Sequence, residues 1–258
     1  MKSPLQIRTI DSFRECADLL HAFSPRSFEN VKGVSEDLLL GRLNDPNTSL
    51  QHRQMFLDRL SISSKNIFMV KQVHGDRVFV LDDAKWSPEK VELEEADALI
   101  THLTGTPVAV LTADCVPVIL YDPKAHAVGV VHAGRKGTQA ALVSKTLSML
   151  SEVYGSRIED VRMALGPAIG GCCYEVDRTC VEPFKSHYPE WESFVTAQSN
   201  GKFRLDLLQA NVADGQRAGI RKENIHLSGE CTSCNNDRWY SYRREGTTGR
   251  IVTLAMLL

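Results

Sequence analysis

Three segments each run through apolar residues and then present a side chain able to bind a soft metal: MVKQVHGD (69–76), VAVLTADC (108–115) and AVGVVHAG (127–134). A strand end is where a rigid scaffold can aim a side chain into a cleft, so His74, Cys115 and His132 could meet there. Two imidazoles and one thiolate fill three of the four positions that zinc takes. A fourth left to water separates a catalytic site from a closed structural one. Zinc held in this way would bring the pKa of that water to about 7 and supply hydroxide at neutral pH. The separations, 41 and then 17 residues, match no compact zinc signature. Two other readings therefore stand beside the metal. Cys115 could be a nucleophile activated by His132, with Asp114 or Asp97 as the orienting group. Cys115 could equally be a small buried hydrophobe, and each histidine an exposed turn residue.

Other segments offer anion and thiol chemistry. GPAIGGCCYEV (166–176) is a glycine-dense turn whose backbone amides could cradle an anion. It lacks the GxGxxG or Walker pattern, and reads first as a tight structural turn with buried cysteines. Cys231-Thr-Ser-Cys234 is a lone CxxC, two ligands short of a structural zinc. Cys172 and Cys173 could complete it, but adjacent cysteines rarely share one ion without strain. The pair is therefore read as part of a structural loop rather than as a metal or redox site. RWYSYRR (238–244) combines arginines with aromatics and suits a stacking and anion-binding surface, or a packed edge strand with snorkelling arginines. Arg135 and Lys136 follow His132 and would set two positive charges beside any metal there.

The elements that must position these residues show as short β-branched runs bounded by turn residues. They are IFMV (67–70), VFVL (78–81), DALIT (97–101), VAVLT (108–112), PVILY (117–121), AVGVV (127–131), VRMAL (161–165), IHLSG (225–229) and IVTLAML (251–257). Helices are expected around 49–60, at 177–187, at 205–218, and after His132 with Ala140, Ala141, Val143, Leu147 and Leu150 on one face. The rest of 24–66 reads as loop. Strands and helices mix without strict alternation, which predicts an α+β fold of mixed β-sheets flanked by helices, as one domain over 1–258.

A hydrophobic fraction of 43% allows a sizeable core. Thirty Lys and Arg against 32 Asp and Glu leave a net charge of −2, so the expected partner is a small molecule rather than nucleic acid. Neither a secretory signal nor an apolar stretch of about 20 residues is visible, which predicts a cytoplasmic chain without a membrane partner, a monomer or homodimer. Seven cysteines, unevenly spaced, suit core residues, ligands or nucleophiles better than a disulfide scaffold. None of the eight histidines forms the His-x-His pairs of a multicopper oxidase.

Taken together, QVHGDRV (72–78), ADALIT (96–101), TADCVPVILYD (112–122), VVHAGRKGT (130–138), GPAIGGCCYEV (166–176) and CTSCNNDRWYSYRREGTTGR (231–250) resemble the YfiH-type laccase-domain family. That family was once labelled multi-copper polyphenol oxidoreductases and is now regarded as purine nucleoside phosphorylases. GVSED (33–37) is a weaker match to its Gly-Val-Ser segment. The resemblance implies metal ligands at His74, Cys115 and His132. It implies zinc-dependent phosphorolysis of adenosine, inosine, guanosine or methylthioadenosine, with phosphate as co-substrate and adenosine deamination as a second activity. In the deaminase reaction an activated water would attack the purine carbon bearing the amino group, with Asp114 as the acid that shuttles protons. Arg135, Lys136, Arg243 and Arg244 are the expected phosphate and substrate contacts. Where members commonly read HAGWRG, this chain has Arg135 and Lys136, a change that bears on substrate preference. Two alternatives remain. One is a cysteine hydrolase or peptidoglycan-precursor editing enzyme using Cys115 and His132. The other is a polyphenol oxidoreductase with copper at the same trio, since copper outcompetes zinc at N/S sites.

Overall fold

The strand Ile251–Leu257 shows how the layers arise. Ile251, Ala255 and Leu257 pack into one apolar cluster, and Val252, Leu254 and Met256 into another. Successive side chains of a strand point to opposite faces, so this strand is covered on both. That is why it reads as an unbroken apolar run instead of an alternating one. It lies between Leu19–Phe23 and Val108–Thr112 in a three-stranded antiparallel sheet. The computed structural model describes residues 5–30, 34–40, 46–62, 67–83 and 85–258. Gly33 of the Gly-Val-Ser segment lies outside them.

A second sheet has six strands in the order Ile225–Leu227, Arg162–Leu165, Val116–Asp122, Ala127–Ala133, Ala98–Thr101 and Val78–Leu81. Its two outermost pairs are parallel and the inner three antiparallel. Ile119, Tyr121, Val128 and Val130 face the first sheet. Val116, Val118, Leu120 and Val131 face the helices Leu142–Tyr154, Arg178–His187 and Leu207–Ala218, through Leu147, Phe184 and Ala210 among others. The helix Pro46–Arg59 covers the far side of the first sheet with Phe56 and Leu57. Each large side chain buried this way contributes about 1.5–3 kcal/mol. The order of layers is helix, sheet, sheet, helices, an α+β architecture of mixed sheets flanked by helices.

Three local expectations are corrected. IFMV is not a strand: only Phe68 bridges Val108, with Phe68 N–H donating to Pro107 O and Ala109 N–H to Phe68 O. Beyond that, a side chain replaces the ladder. The Gln72 amide donates to Leu111 O and accepts from Leu111 N–H, both at 2.8 Å. The region 24–66 also holds a small antiparallel pair, Ser27–Glu29 with Ser35–Asp37. Finally, the helix after His132 is two helices, Arg135–Gln139 and Leu142–Tyr154, separated by Ala141 in the left-handed region at φ 57°. A non-glycine residue there costs roughly 1–2 kcal/mol. The first helix is tied down by neighbours: the Tyr188 hydroxyl donates to Thr138 O at 2.6 Å and Asn211 Nδ2 donates to Thr138 Oγ1 at 3.0 Å.

Candidate metal centre

Asp97 immediately precedes the strand Ala98–Thr101 of the six-stranded sheet and is fully buried. Its carboxylate gathers the QVHG turn, accepting from the backbone N–H groups of Val73, His74 and Gly75 at 3.2, 3.0 and 2.6 Å. These bonds hold His74 at φ 58°, a left-handed conformation that His tolerates better than most residues. Oδ1 of the same carboxylate lies 2.7 Å from His132 Nδ1. An ionised carboxylate only accepts, so Nδ1 carries the proton and Nε2 is the nitrogen that would bind a metal, giving up its own proton to do so. Burial pushes the Asp97 carboxyl up, but the His132 and backbone hydrogen bonds outweigh it and hold it below its usual range.

His74, Cys115 and His132 meet with one ligand atom from each, all within 4.8 Å of one another. The two imidazoles stand edge to face, with centroids 4.7 Å apart. Burial alone would raise the Cys115 thiol. His132 and His74 reverse that and bring it down to about 6, while Cys115 and Asp97 lift His132 to about 9 against its burial. A thiolate is the form that binds a metal. The space around the trio is also kept clear. A Cβ on Gly134 would lie 3.1 Å from His74 Cδ2 and 3.2 Å from Cys115 Sγ, and one on Gly137 would lie 3.1 Å from Gly75 O. Two imidazoles and a thiolate, oriented by one carboxylate and facing a cavity, fit an open zinc-type site.

The trio forms part of the wall of a cavity of about 840 Å³. Arg135, Lys136, Arg243 and Arg250 line it, together with Tyr174 and Tyr242. The Arg243 guanidinium lies 4.8 Å from the Tyr174 ring centroid and donates to Glu175 O at 2.7 Å. Two expected contacts are placed elsewhere or otherwise engaged. Arg244 is absent from the cavity wall: its guanidinium donates to the carbonyls of Thr232, Ser233 and Trp239 at 2.7–2.9 Å. Asp114 does line the cavity, at φ 89°, but both carboxylate oxygens are engaged. Thr232 Oγ1 donates to Oδ1 and Arg243 N–H to Oδ2, each at 2.6 Å. RWYSYRR is neither an edge strand nor a surface platform. Trp239 and Tyr240 are buried, a helical turn spans Tyr242–Glu245, and only Tyr242 and Arg243 reach the cavity.

Some residues escape sequence reasoning. Tyr174 and Arg250 lie within the segments 166–176 and 231–250, but nothing there marks them as cavity residues, since only the fold brings them to this cavity. The loop cysteines do carry one. Cys172, Cys173, Cys231 and Cys234, expected to serve a structural loop, bring their four sulfurs within 4.8 Å of one another.

Fold and site together define an α+β protein of stacked sheets with an open His–Cys–His centre built from one strand and two bends. The chain belongs to the multi-copper polyphenol oxidoreductase laccase family, whose match runs over residues 21–258. It is 34% identical over 201 residues to an adenosine deaminase from an unknown prokaryotic organism, covering 76% of each chain. It is 32% identical over 214 residues to a purine nucleoside phosphorylase of Corynebacterium glutamicum, covering 80% of each. The crystal structure of Bacillus licheniformis YfiH superimposes with a TM-score of 0.89 at 27% identity, over 100% of this chain and 98% of that one. YlmD of Geobacillus stearothermophilus does so at 0.87 and 26%, over 100% and 97%.

Proposed function

We propose that this chain is a cytoplasmic zinc-dependent purine nucleoside phosphorylase that also deaminates adenosine. One observation carries the reading: an open His–Cys–His centre faces a cavity lined with tyrosines and cationic side chains. The names of the relatives supply the two reaction classes. In this reading His74, Cys115 and His132 hold the metal, which supplies Lewis acidity and an activated water at neutral pH. Asp97 keeps His132 in the tautomer that ligates. Tyr242, 60% exposed at the cavity, offers its ring to a purine, and Arg135 and Lys136 hold phosphate. In phosphorolysis a phosphate oxygen bonds to the sugar's anomeric carbon as its bond to the purine nitrogen breaks. The purine leaves with that electron pair and takes up a proton. Asp114, with both oxygens engaged, acts as a positioning residue for Arg243 and the 232 loop. The substrates are adenosine, inosine, guanosine and methylthioadenosine.

A second reading has a specific observation behind it. Asp97, His132 and Cys115 align as orienter, base and thiolate, the order a cysteine hydrolase needs. Incubating the protein with adenosine and phosphate, before and after chelation, separates the two. The nucleoside reading expects adenine with ribose 1-phosphate, plus inosine, all lost on chelation and restored by zinc. Chelation-resistant turnover abolished by thiol alkylation would replace it with the hydrolase. Laccase chemistry on four coppers finds no support in the donor set, because the described residues gather only the trio and the four cysteines.

A further inference from the structure

Two loops on the other side of Asp114 bring four cysteines together. Cys172 and Cys173 sit in the turn after the strand Arg162–Leu165, where Cys173 N–H and Tyr174 N–H both donate to Gly170 O. Cys231 and Cys234 sit in the loop after the strand Ile225–Leu227, where Ala168 bridges Cys231 and Thr232 N–H donates to Ala168 O. Cys234 Sγ lies 3.7 Å from Cys172 Sγ and 3.4 Å from Cys173 Sγ, and all four sulfurs fall within 4.8 Å. These are free thiols, much further apart than the roughly 2.05 Å of a disulfide. Thiols are weak hydrogen-bonding partners, so four of them gain little from one another's company. A shared cation would give all four a common partner. In a tetrahedron of thiolates with zinc–sulfur bonds of about 2.3 Å, neighbouring sulfurs stand about 3.8 Å apart, which matches this spacing.

The surroundings suit a thiolate cluster. Gly170 N–H donates to Cys231 Sγ at 3.3 Å, the kind of backbone support that orients a ligating sulfur. A Cβ on Gly170 would come 3.3 Å from Cys172 Sγ, a tight contact that a glycine avoids. The Arg244 guanidinium, ion-paired with Glu245, donates to the carbonyls of Thr232 and Ser233 and so fixes the backbone between the two loop cysteines. Adjacent cysteines were expected to strain such a site. The turn bonded to Gly170 O presents both sulfurs to Cys234 with the backbone hydrogen bonds intact.

We propose that Cys172, Cys173, Cys231 and Cys234 form a closed tetrathiolate site for one structural zinc ion, distinct from the His74–Cys115–His132 centre. The ion staples the 170–174 turn to the 231–234 loop. That staple supports the cavity: Tyr174 directly follows Cys173, and Thr232, between the other two cysteines, holds Asp114, which in turn holds Arg243. With soft ligands on all four positions, the site takes no water and does no chemistry itself.

The test uses the full chain, purified reduced and loaded with zinc. Elemental analysis and native mass spectrometry should give two zinc ions per wild-type chain. They should give one in His74→Ala and one in Cys231→Ser/Cys234→Ser. Because the double variant could fold poorly, Cys115→Ala supplies a second reading with the four-cysteine cluster intact. It removes the only thiolate of the other centre, so a thiolate-to-cobalt charge-transfer band on Co2+ titration can come only from the cluster. A strong band with tetrahedral visible transitions at one equivalent supports the proposal. A fully reduced Cys115→Ala chain with no such band overturns it, as does a wild-type stoichiometry of one that His74→Ala abolishes. Rapid alkylation of fresh cells that traps a disulfide between the two loops also overturns it, in favour of a redox pair.

Discussion

His132 sits near the end of the strand Ala127–Ala133, Cys115 in the bend between two strands and His74 in a turn gathered by Asp97, and all three line one cavity. Cys172, Cys173, Cys231 and Cys234 come from two loops and turn toward one another. Both are soft-ligand clusters of similar tightness, yet the number and type of donors separates their roles. Three ligands beside open space leave a position for water or substrate, whereas four sulfurs close the shell. The supports differ in the same sense. The open centre is oriented by a buried carboxylate that fixes a tautomer and a backbone turn. The closed cluster is shaped by backbone hydrogen bonds within its own turns. Reactivity goes with the cluster that a rigid sheet holds open, and cohesion with the one that loops close.

The strongest test of this contrast exchanges the two losses. Cys115→Ala should reduce both nucleoside activities to background while Tm moves by only a few degrees. Cys231→Ser/Cys234→Ser should lower Tm by roughly 10 °C, at about 2–4 °C per kcal/mol for a chain of this size, and leave measurable activity at low temperature. Calorimetry beside product assays would show it. Equal effects of the two changes on Tm would collapse the distinction. Next in size is the support of the open centre. Asp97→Asn leaves one acceptor oxygen for the N–H groups of residues 73–75 and frees His132 to choose its other tautomer. Zinc affinity should fall about 10–100-fold by competition with a chelating dye, and the four-cysteine cluster should keep its ion. An unchanged affinity would mean that Asp97 serves only the turn. Gly134→Ala is expected to be smaller, because its Cβ crowds His74 and Cys115 at 3.1–3.2 Å without removing either. Overpacking of about 2 kcal/mol corresponds to roughly thirtyfold in kcat/KM. Full activity would show that the trio has room to move.

The two clusters also differ in how far they could be read in advance. His74, Cys115 and His132 each follow an apolar run, which suggests a common cleft; the expectation of a strand end holds for His132 alone, since His74 lies in a turn held by Asp97 and Cys115 in a bend between strands. Asp97 was visible only as one of two possible orienting acids; the fold decides for it over Asp114, whose carboxylate is engaged by Thr232 and Arg243. The four cysteines lie in two loops about sixty residues apart, and no periodicity reports that Ala168 will bridge Cys231. Most strands were legible because burial on both faces leaves continuous β-branched runs. The IFMV run misleads for the same reason: it is apolar and buried, but the Gln72 amide takes the place of its ladder. The break at Ala141 has no sequence signature, since alanine is a strong helix former and only the tertiary hold on Thr138 imposes the turn.

The smallest expected effect asks whether the open centre takes an anion beside its metal. Arg135 and Lys136 open the helix that follows the strand carrying His132 and line the cavity, where Arg243 is already bonded to Glu175 O and Arg250 Nη1 to the carbonyls of Thr248 and Gly249. Arg135 makes a looser contact, 3.3 Å to Gln139 Oε1, and so keeps donors for a ligand. A charge-assisted hydrogen bond is worth about 1.5–3 kcal/mol, so Arg135→Ala should raise the KM for phosphate in phosphorolysis about tenfold or more. Lys136→Ala, with a more exposed side chain, should raise it less. Deamination consumes water rather than phosphate, so its kcat/KM with adenosine should stay within about twofold of the parent's. A matched fall in both reactions would move these residues to nucleoside binding, and no change in either would leave them solvated. Only the split, a phosphate KM that rises while deamination holds, places the anion next to the His–Cys–His centre and separates its open position from the closed cluster in a second, independent way.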